Sequence, residues 1–187
     1  MVKESVDAGR TNEPMDYDIY PPQLKEPYKS RRSKVAKDMY TLLGIDRSDS
    51  VSRMAHFQNN WRFFDAPVGL IFTIDRQMHQ GQFVDLGMFM QNIMLLAREK
   101  GLHTCAQEAW ALWPKTIEEV LQIPSNEMVF AGMALGYADH SDPINRLKTE
   151  RSELSEFAVF YYDKQDEIGH PRVAGDEDPP LSVSAKL

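Results

Sequence analysis

A single cysteine, Cys105, stands in a chain of 187 residues, so neither an internal disulfide nor a cysteine-based zinc cluster can form within it. A lone cysteine with no histidine paired to it reads as small-residue packing rather than as a nucleophile. The five histidines, His56, His79, His103, His140 and His170, include no helical i, i+4 pair, and no metal site is indicated. Positive charge is scarce as well. Its 21 lysines and arginines face 28 acids, a net charge of −7, which argues against a nucleic-acid partner because neutralising phosphates requires a basic face. No apolar run reaches the length needed to cross a bilayer, and Met1 to Arg10 lacks the apolar centre of a secretory signal. A cytoplasmic protein with no membrane partner is the expectation. The C-terminal Ala185-Lys186-Leu187 offers one alternative, since it is similar to the S-K-L type of peroxisomal address and would carry meaning only in a eukaryotic host.

What remains is an ordinary composition, 42% hydrophobic and 26% charged, in a length that suits one domain with a real core. Residues 1–23 are acidic, proline-bearing and aperiodic, and read as an irregular segment. Lys25 to Leu43 reads as a helix ended by Gly44, and Ser48 to Phe63 as a second helix opened by Ser48 or Asp49. Pro67 to Ile74 is apolar on both faces, the pattern of a central strand covered twice. Trp113 to Leu121 is a shorter helix with Pro114 in its first turn and Ile117, Val120 and Leu121 inward. Met128 to Tyr137 is a second interior strand, whose Gly132 and Gly136 permit close approach by another backbone or a cofactor. Residues 151–162 read as a short helix or final strand, and beyond them the composition turns acidic and proline-rich. The domain is therefore expected over 24–162, between an irregular segment at 1–23 and a tail at 163–187.

The most telling stretch is Asp85 to Gln107, D-L-G-M-F-M-Q-N-I-M-L-L-A-R-E-K-G-L-H-T-C-A-Q. Its first part is a helix expected to be buried on most sides, because only Gln91 and Asn92 interrupt the apolar run before Arg98. Asp85 suits its start, Arg98 and Lys100 suit its negative C-terminal end, and Gly101 can take the left-handed conformation that stops it. The small residues that follow, Thr104, Cys105 and Ala106, allow a flat ring to approach the chain.

The run from Gln91 to Gln107 resembles the FMN-dependent nitroreductases, in which a long helix passes through a G-L-x-T-C-x-Q-like turn lying against the isoalloxazine ring. Three further segments resemble the family in the right order. They are Phe63-Phe64-Asp65-Ala66-Pro67-Val68, Gly132 to Asp139, and Pro143-Ile144-Asn145-Arg146 leading to Arg151. The resemblance extends from about Pro22 to Tyr162. It implies an α+β nitroreductase-like fold, with a central, mainly antiparallel sheet flanked by helices and a long buried helix near a homodimer interface.

The resemblance also implies FMN as cofactor, NAD(P)H as electron donor and a small-molecule acceptor such as a nitroaromatic or a quinone, reduced by ping-pong hydride transfer. No side chain is implied as catalytic, because the chemistry occurs at flavin N5. Main-chain N–H groups of Glu108 and Ala109, with Gln107 just before them, match the positions that meet the N5 edge. Arg151, and Lys148 second, match the family's basic residue for the flavin phosphate. Arg31-Arg32-Ser33 looks like the R-R-S element that opens the family, but it lies within a helical pattern and reads as a solvated basic face. The family's N-terminal flavin-binding portion is thus expected to be missing, with Met1 falling roughly where it would end. That departure motivates a second reading, a truncated relative serving as an interaction or regulatory module without redox activity.

Overall fold

The ten-residue strand β3 (Glu127–Gly136) is the centre of the molecule: β1 (Val68–Asp75) pairs with it on one side and β2 (His103–Gln107) on the other, both antiparallel. We describe residues 2–7 and 10–159 of the chain in a computed structural model. The chain divides into two compact units, 1–147 and 148–187. The second contributes one short 3-10 turn, Leu154–Glu156, where a helix or strand over 151–162 was expected. The acidic tail and the C-terminal tripeptide lie outside the described residues.

Within the first unit, β1 is covered on both faces as its apolar pattern predicts, yet it lies at the edge of the described sheet. Continuous apolarity reports covered faces and says nothing of hydrogen-bonded neighbours. On one face Phe72, Ala131 and Met133, with Leu70, pack against Met90, Ile93 and Met94 of α4 (Gln80–Glu99). On the other, Ile71 and Val129 meet Trp61, Phe63, Trp110, Trp113 and Ile117.

Helix α4 begins five residues before Asp85, because His79 and Gln82 form a reciprocal capping box. It ends at Gly101, whose φ of +75° is the left-handed stop. Only Met90 and Ala97 in it are buried, so the helix is less enclosed than its sequence suggests. Val84, Met88, Leu95 and Leu96 form an exposed apolar stripe, the last two about 60% accessible at 60% and 61%.

Two helices lie between the N-terminal segment and the sheet. Helix α2 (Tyr28–Leu42) carries Arg31, Arg32 and Ser33 on its exposed surface, as their reading as a solvated face requires, and Arg32 lies over Tyr20 at 5.0 Å. Helix α3 (Ser50–Phe57) is capped by Asp49, which accepts from the Ser52 N–H at 2.9 Å, and then tightens into a 3-10 segment over Gln58–Asp65. Helix α5 (Pro114–Leu121) starts at its proline and buries Ile117, but Val120 and Leu121 are exposed rather than inward. With eight residues, α5 offers a single narrow stripe to the sheet, which Ile117 fills.

The N-terminal segment is better organised than its composition suggested. Its first residues form α1 (Val2–Asp7), because Val2 and Val6 find the tryptophan cluster to pack against. Glu13 then reaches α5 and accepts from the Thr116 N–H at 3.0 Å, capping from a distance a helix whose own N-cap residue, Trp113, has no side-chain acceptor. Arg76, after β1, pairs with Asp16 at 2.6 Å and with Glu118 of α5. Acidic residues that read as solvated loop are therefore ties between distant elements.

Candidate functional site

Strand β2 delivers the site. It runs antiparallel to β3 with Thr104 opposite Leu135, Ala106 opposite Met133 and Gln107 opposite Gly132, and then tightens into a 3-10 helix over Glu108–Leu112. The leading N–H groups of a helix have no acceptor within it, so the amides of Glu108 and Ala109 are donors presented by the turn itself. Immediately before them Cys105 and Ala106 are exposed, and neither has bulk to hold a flat molecule away from the backbone. Crowding by the surrounding protein pushes the Cys105 thiol above its ordinary range, which weakens it as a nucleophile and agrees with its reading as packing. His103 Nδ1 accepts the Ala138 N–H at 3.2 Å, so one nitrogen of this ring is already engaged.

Gln107 itself points the other way. It is 3% exposed, and its Nε2 donates to the main-chain oxygen of Asn60 at 3.0 Å and to Asn60 Oδ1 at 3.1 Å. Asn60 Nδ2 is committed to the Phe57 carbonyl at 2.8 Å, which fixes the direction of both amides. Among the described residues Gln107 Oε1 is left buried without a donor. The Gln107 side chain is a latch between β2 and the segment before β1.

The two glycines expected to permit close approach by another backbone or a cofactor are closely approached by side chains of the protein itself. A Cβ at Gly132 would lie 2.2 Å from Trp110 Cδ1, and one at Gly136 would lie 2.7 Å from Pro67 Cδ. Trp110 and Trp113 are packing, 6% and 0% exposed, with Trp61 edge-on to both at centroid distances of 5.5 and 6.2 Å. Nothing in the local sequence separates an indole that lines a pocket from one that fills a core.

Tyr17 is a neighbour of the turn that its sequence setting did not disclose. The bulge in β3 leaves Phe130 without a partner between the pairs Phe72–Ala131 and Thr73–Val129, and the Tyr17 hydroxyl donates to the Phe130 carbonyl. Its ring stacks on Phe130 at 5.3 Å. Burial, reinforced by the charge of Glu108, raises its phenol above the usual tyrosine range, so it stays a neutral donor. Partial burial likewise raises the Glu108 carboxyl.

Lys148 and Arg151 belong to the second unit, which is described by itself. Both are exposed, and Arg151 Nη1 donates locally to Thr149 Oγ1 at 2.5 Å and to the Glu150 carbonyl at 3.1 Å.

A sequence profile of the Nitroreductase family matches residues 13–137, which include all three strands and the turn. This chain belongs to the nitroreductase family. It is 41% identical over 160 residues to a nitrobenzene nitroreductase of Ectopseudomonas oleovorans, covering 86% of this chain and 70% of that one. It is also 41% identical over 148 residues to a chloronitrobenzene nitroreductase of Comamonas testosteroni, covering 79% of this chain and 65% of the other. Among solved structures, the FMN and NADPH-dependent nitroreductase NfnB from Sphigopyxis sp. strain HMH superposes with a TM-score of 0.82 at 39% identity, over 87% of this chain and 73% of that one. Thus the α+β nitroreductase fold is present.

Proposed function

We propose that this nitroreductase is an FMN-dependent NAD(P)H oxidoreductase that reduces nitroaromatic compounds, quinones or related acceptors by a ping-pong cycle. One structural observation carries the reading: two main-chain donors at the start of a 3-10 helix, Glu108 and Ala109, come just after the exposed small residues Cys105 and Ala106, with only the buried Gln107 between them. FMN fits this donor set, because its N5 edge accepts hydrogen bonds and its planar ring needs a wall without projecting side chains. When bound, FMN supplies hydride acceptance and hydride donation at N5. The chain's part is to hold and tune. Amides aimed at N5 favour the electron-rich reduced form, and rigid placement gives them their effect without rearrangement during turnover. Tyr17, kept neutral, adds no negative charge beside the turn. The relatives' names favour nitroaromatic acceptors, and the NADPH dependence in one neighbour's description favours that donor.

For the phosphate we assign Arg151, with Lys148 second, on the sequence resemblance alone, since a guanidinium can grip two phosphate oxygens at once. We further assign a homodimer, supported by the exposed stripe of Val84, Met88, Leu95 and Leu96 on α4. Protein purified with added FMN should be yellow and should oxidise NADPH when nitrobenzene is supplied. Arg151→Ala should lower FMN content, and Leu96→Glu should shift the sedimenting species from dimer to monomer. Full-length protein that takes up no FMN at high concentration would refute the assignment.

A further inference from the structure

The backbone adopts a costly conformation just before β1. Phe63, Phe64 and Asp65 have φ values of 51°, 53° and 59°, three consecutive left-handed residues with no glycine among them. Each such residue is disfavoured, because Cβ crowds the following carbonyl oxygen. The turn is closed by a hydrogen bond from the Ala66 N–H to the Phe63 carbonyl at 3.1 Å. Such a conformation persists only where its surroundings over-determine it.

Those surroundings all involve the nitroreductase turn. The Phe63 ring stacks on Trp110 at a centroid distance of 4.5 Å and an interplanar angle of 28°. It lies so close to β1 that a Cβ at Gly69 would be 2.3 Å from Phe63 Cε2. Trp110 in turn lies on Gly132 of β3. Gly69 pairs with Ala134, and Ala134 shares a sheet face with Gly132, so the two rings lie on one face of the sheet, each seated on a bare glycine. Three residues earlier Asn60 latches Gln107, and Trp61 braces Trp110 and Trp113 from the edge. Trp110 is two positions after Glu108 and one after Ala109, in the same 3-10 helix.

We infer that the left-handed turn Phe63–Asp65 is the positioning device of the flavin-facing turn, with Phe63 acting through Trp110 to fix the direction of the Glu108 and Ala109 amides. The inference rests on the reading that those amides face N5. Left-handed geometry reverses the chain over three residues and drops the Phe63 ring into the slot between Gly69 and Trp110, while Phe64 stays outside at 40% exposure. Trp110 is then confined between a ring it cannot displace and a strand backbone. Phe63 is thus a positioning residue, with no contact to substrate required of it.

The test uses the full-length protein loaded with FMN and compares Phe63→Leu and Gly69→Ala, which attack the slot from inside and from outside. Both should lose the near-ultraviolet circular-dichroism signal of the stacked rings in the protein before FMN is added. Once loaded, both should show a more negative flavin midpoint potential and about 10- to 100-fold slower flavin reduction by NADPH, with KM for NADPH little changed. Phe64→Gly, which keeps the left-handed φ while removing an outward side chain, should leave all of these as in the unaltered protein. Ala109→Pro separates the two claims because it deletes one amide directly. If Ala109→Pro shifts the potential while folded Phe63→Leu and Gly69→Ala do not, the positioning role is overturned. An unchanged potential in Ala109→Pro overturns the N5 reading beneath it. Should Phe63→Leu fail to fold, Gly69→Ala decides alone.

Discussion

The two faces of the sheet are packed by different means. Against α4, the contacts of Phe72, Ala131 and Met133 with Met90, Ile93 and Met94 are made, Phe72 apart, by flexible or aliphatic side chains that can trade volume with one another. On the opposite face, Trp61, Phe63, Trp110 and Trp113 are flat rings, two of them pressed on glycines, so the backbone itself sets the available space. The contrast teaches where this nitroreductase requires precision. Its adaptable face bears the helix whose outer stripe is proposed to meet a second copy. Its rigid face bears the turn whose amides are proposed to meet the flavin.

The sharpest way to break the contrast is to empty the rigid face. Trp113→Ala removes the one tryptophan with 0% exposure and leaves a cavity bounded by rings that cannot close over it. We expect a loss of about 3–5 kcal/mol, read from urea unfolding of the FMN-free protein. A loss below about 1.5 kcal/mol would mean that the aromatic face repacks as freely as the other.

A gentler pair of substitutions sharpens the same comparison. Gly132→Ala adds one methyl group, whose carbon would sit 2.2 Å from Trp110 Cδ1, and the indole must move. Overpacking of this kind costs about 1–3 kcal/mol. Met90→Leu on the other face preserves volume and should cost less than about 1.5 kcal/mol by the same measurement. Equal losses would show that the faces do not differ in rigidity.

The difference between the faces was legible in the sequence only where it follows from residue pattern. The strands at Pro67–Ile74 and Met128–Tyr137, the α5 proline start and the Asp49 cap were all readable, because short continuous apolar runs, proline and capping chemistry are local. The turn at Glu108 and Ala109 was found through its family pattern, and its two amides fall where a 3-10 helix begins. Gln107 could not be oriented in advance, since its partner Asn60 lies 47 residues away. Nor could the left-handed turn be foreseen, because no local signal makes two phenylalanines and an aspartate adopt positive φ. That conformation follows from tertiary contacts with Gly69 and Trp110, which lie in other elements of the chain. Likewise α4 reads as enclosed, because a stripe awaiting a second chain and a stripe facing the core have the same composition.

The smallest effect we predict is electrostatic and tests whether the rigid side also constrains charge. His56 is half-buried between Tyr40, at 6.3 Å, and Phe64, at 6.2 Å, and burial lowers its pKa below the ordinary histidine value despite the opposing charge of Asp142. The unfolded chain therefore takes up a proton at this position before the folded one does. Stability contributed here is present above the unfolded value of about 6.5 and is lost as pH falls through the folded value. His103 works in the same direction, being lowered by desolvation and by Arg98 and His140, whereas the raised Glu108 carboxyl works in the opposite one. Comparison with a His56→Asn variant isolates His56 from both. Between pH 7.5 and pH 5.5 the urea midpoint of the unaltered protein should fall more than that of His56→Asn. Parallel midpoints over this window would show that the aromatic enclosure of His56 opens readily to water, and that rigidity on this face ends at the rings seated on glycine.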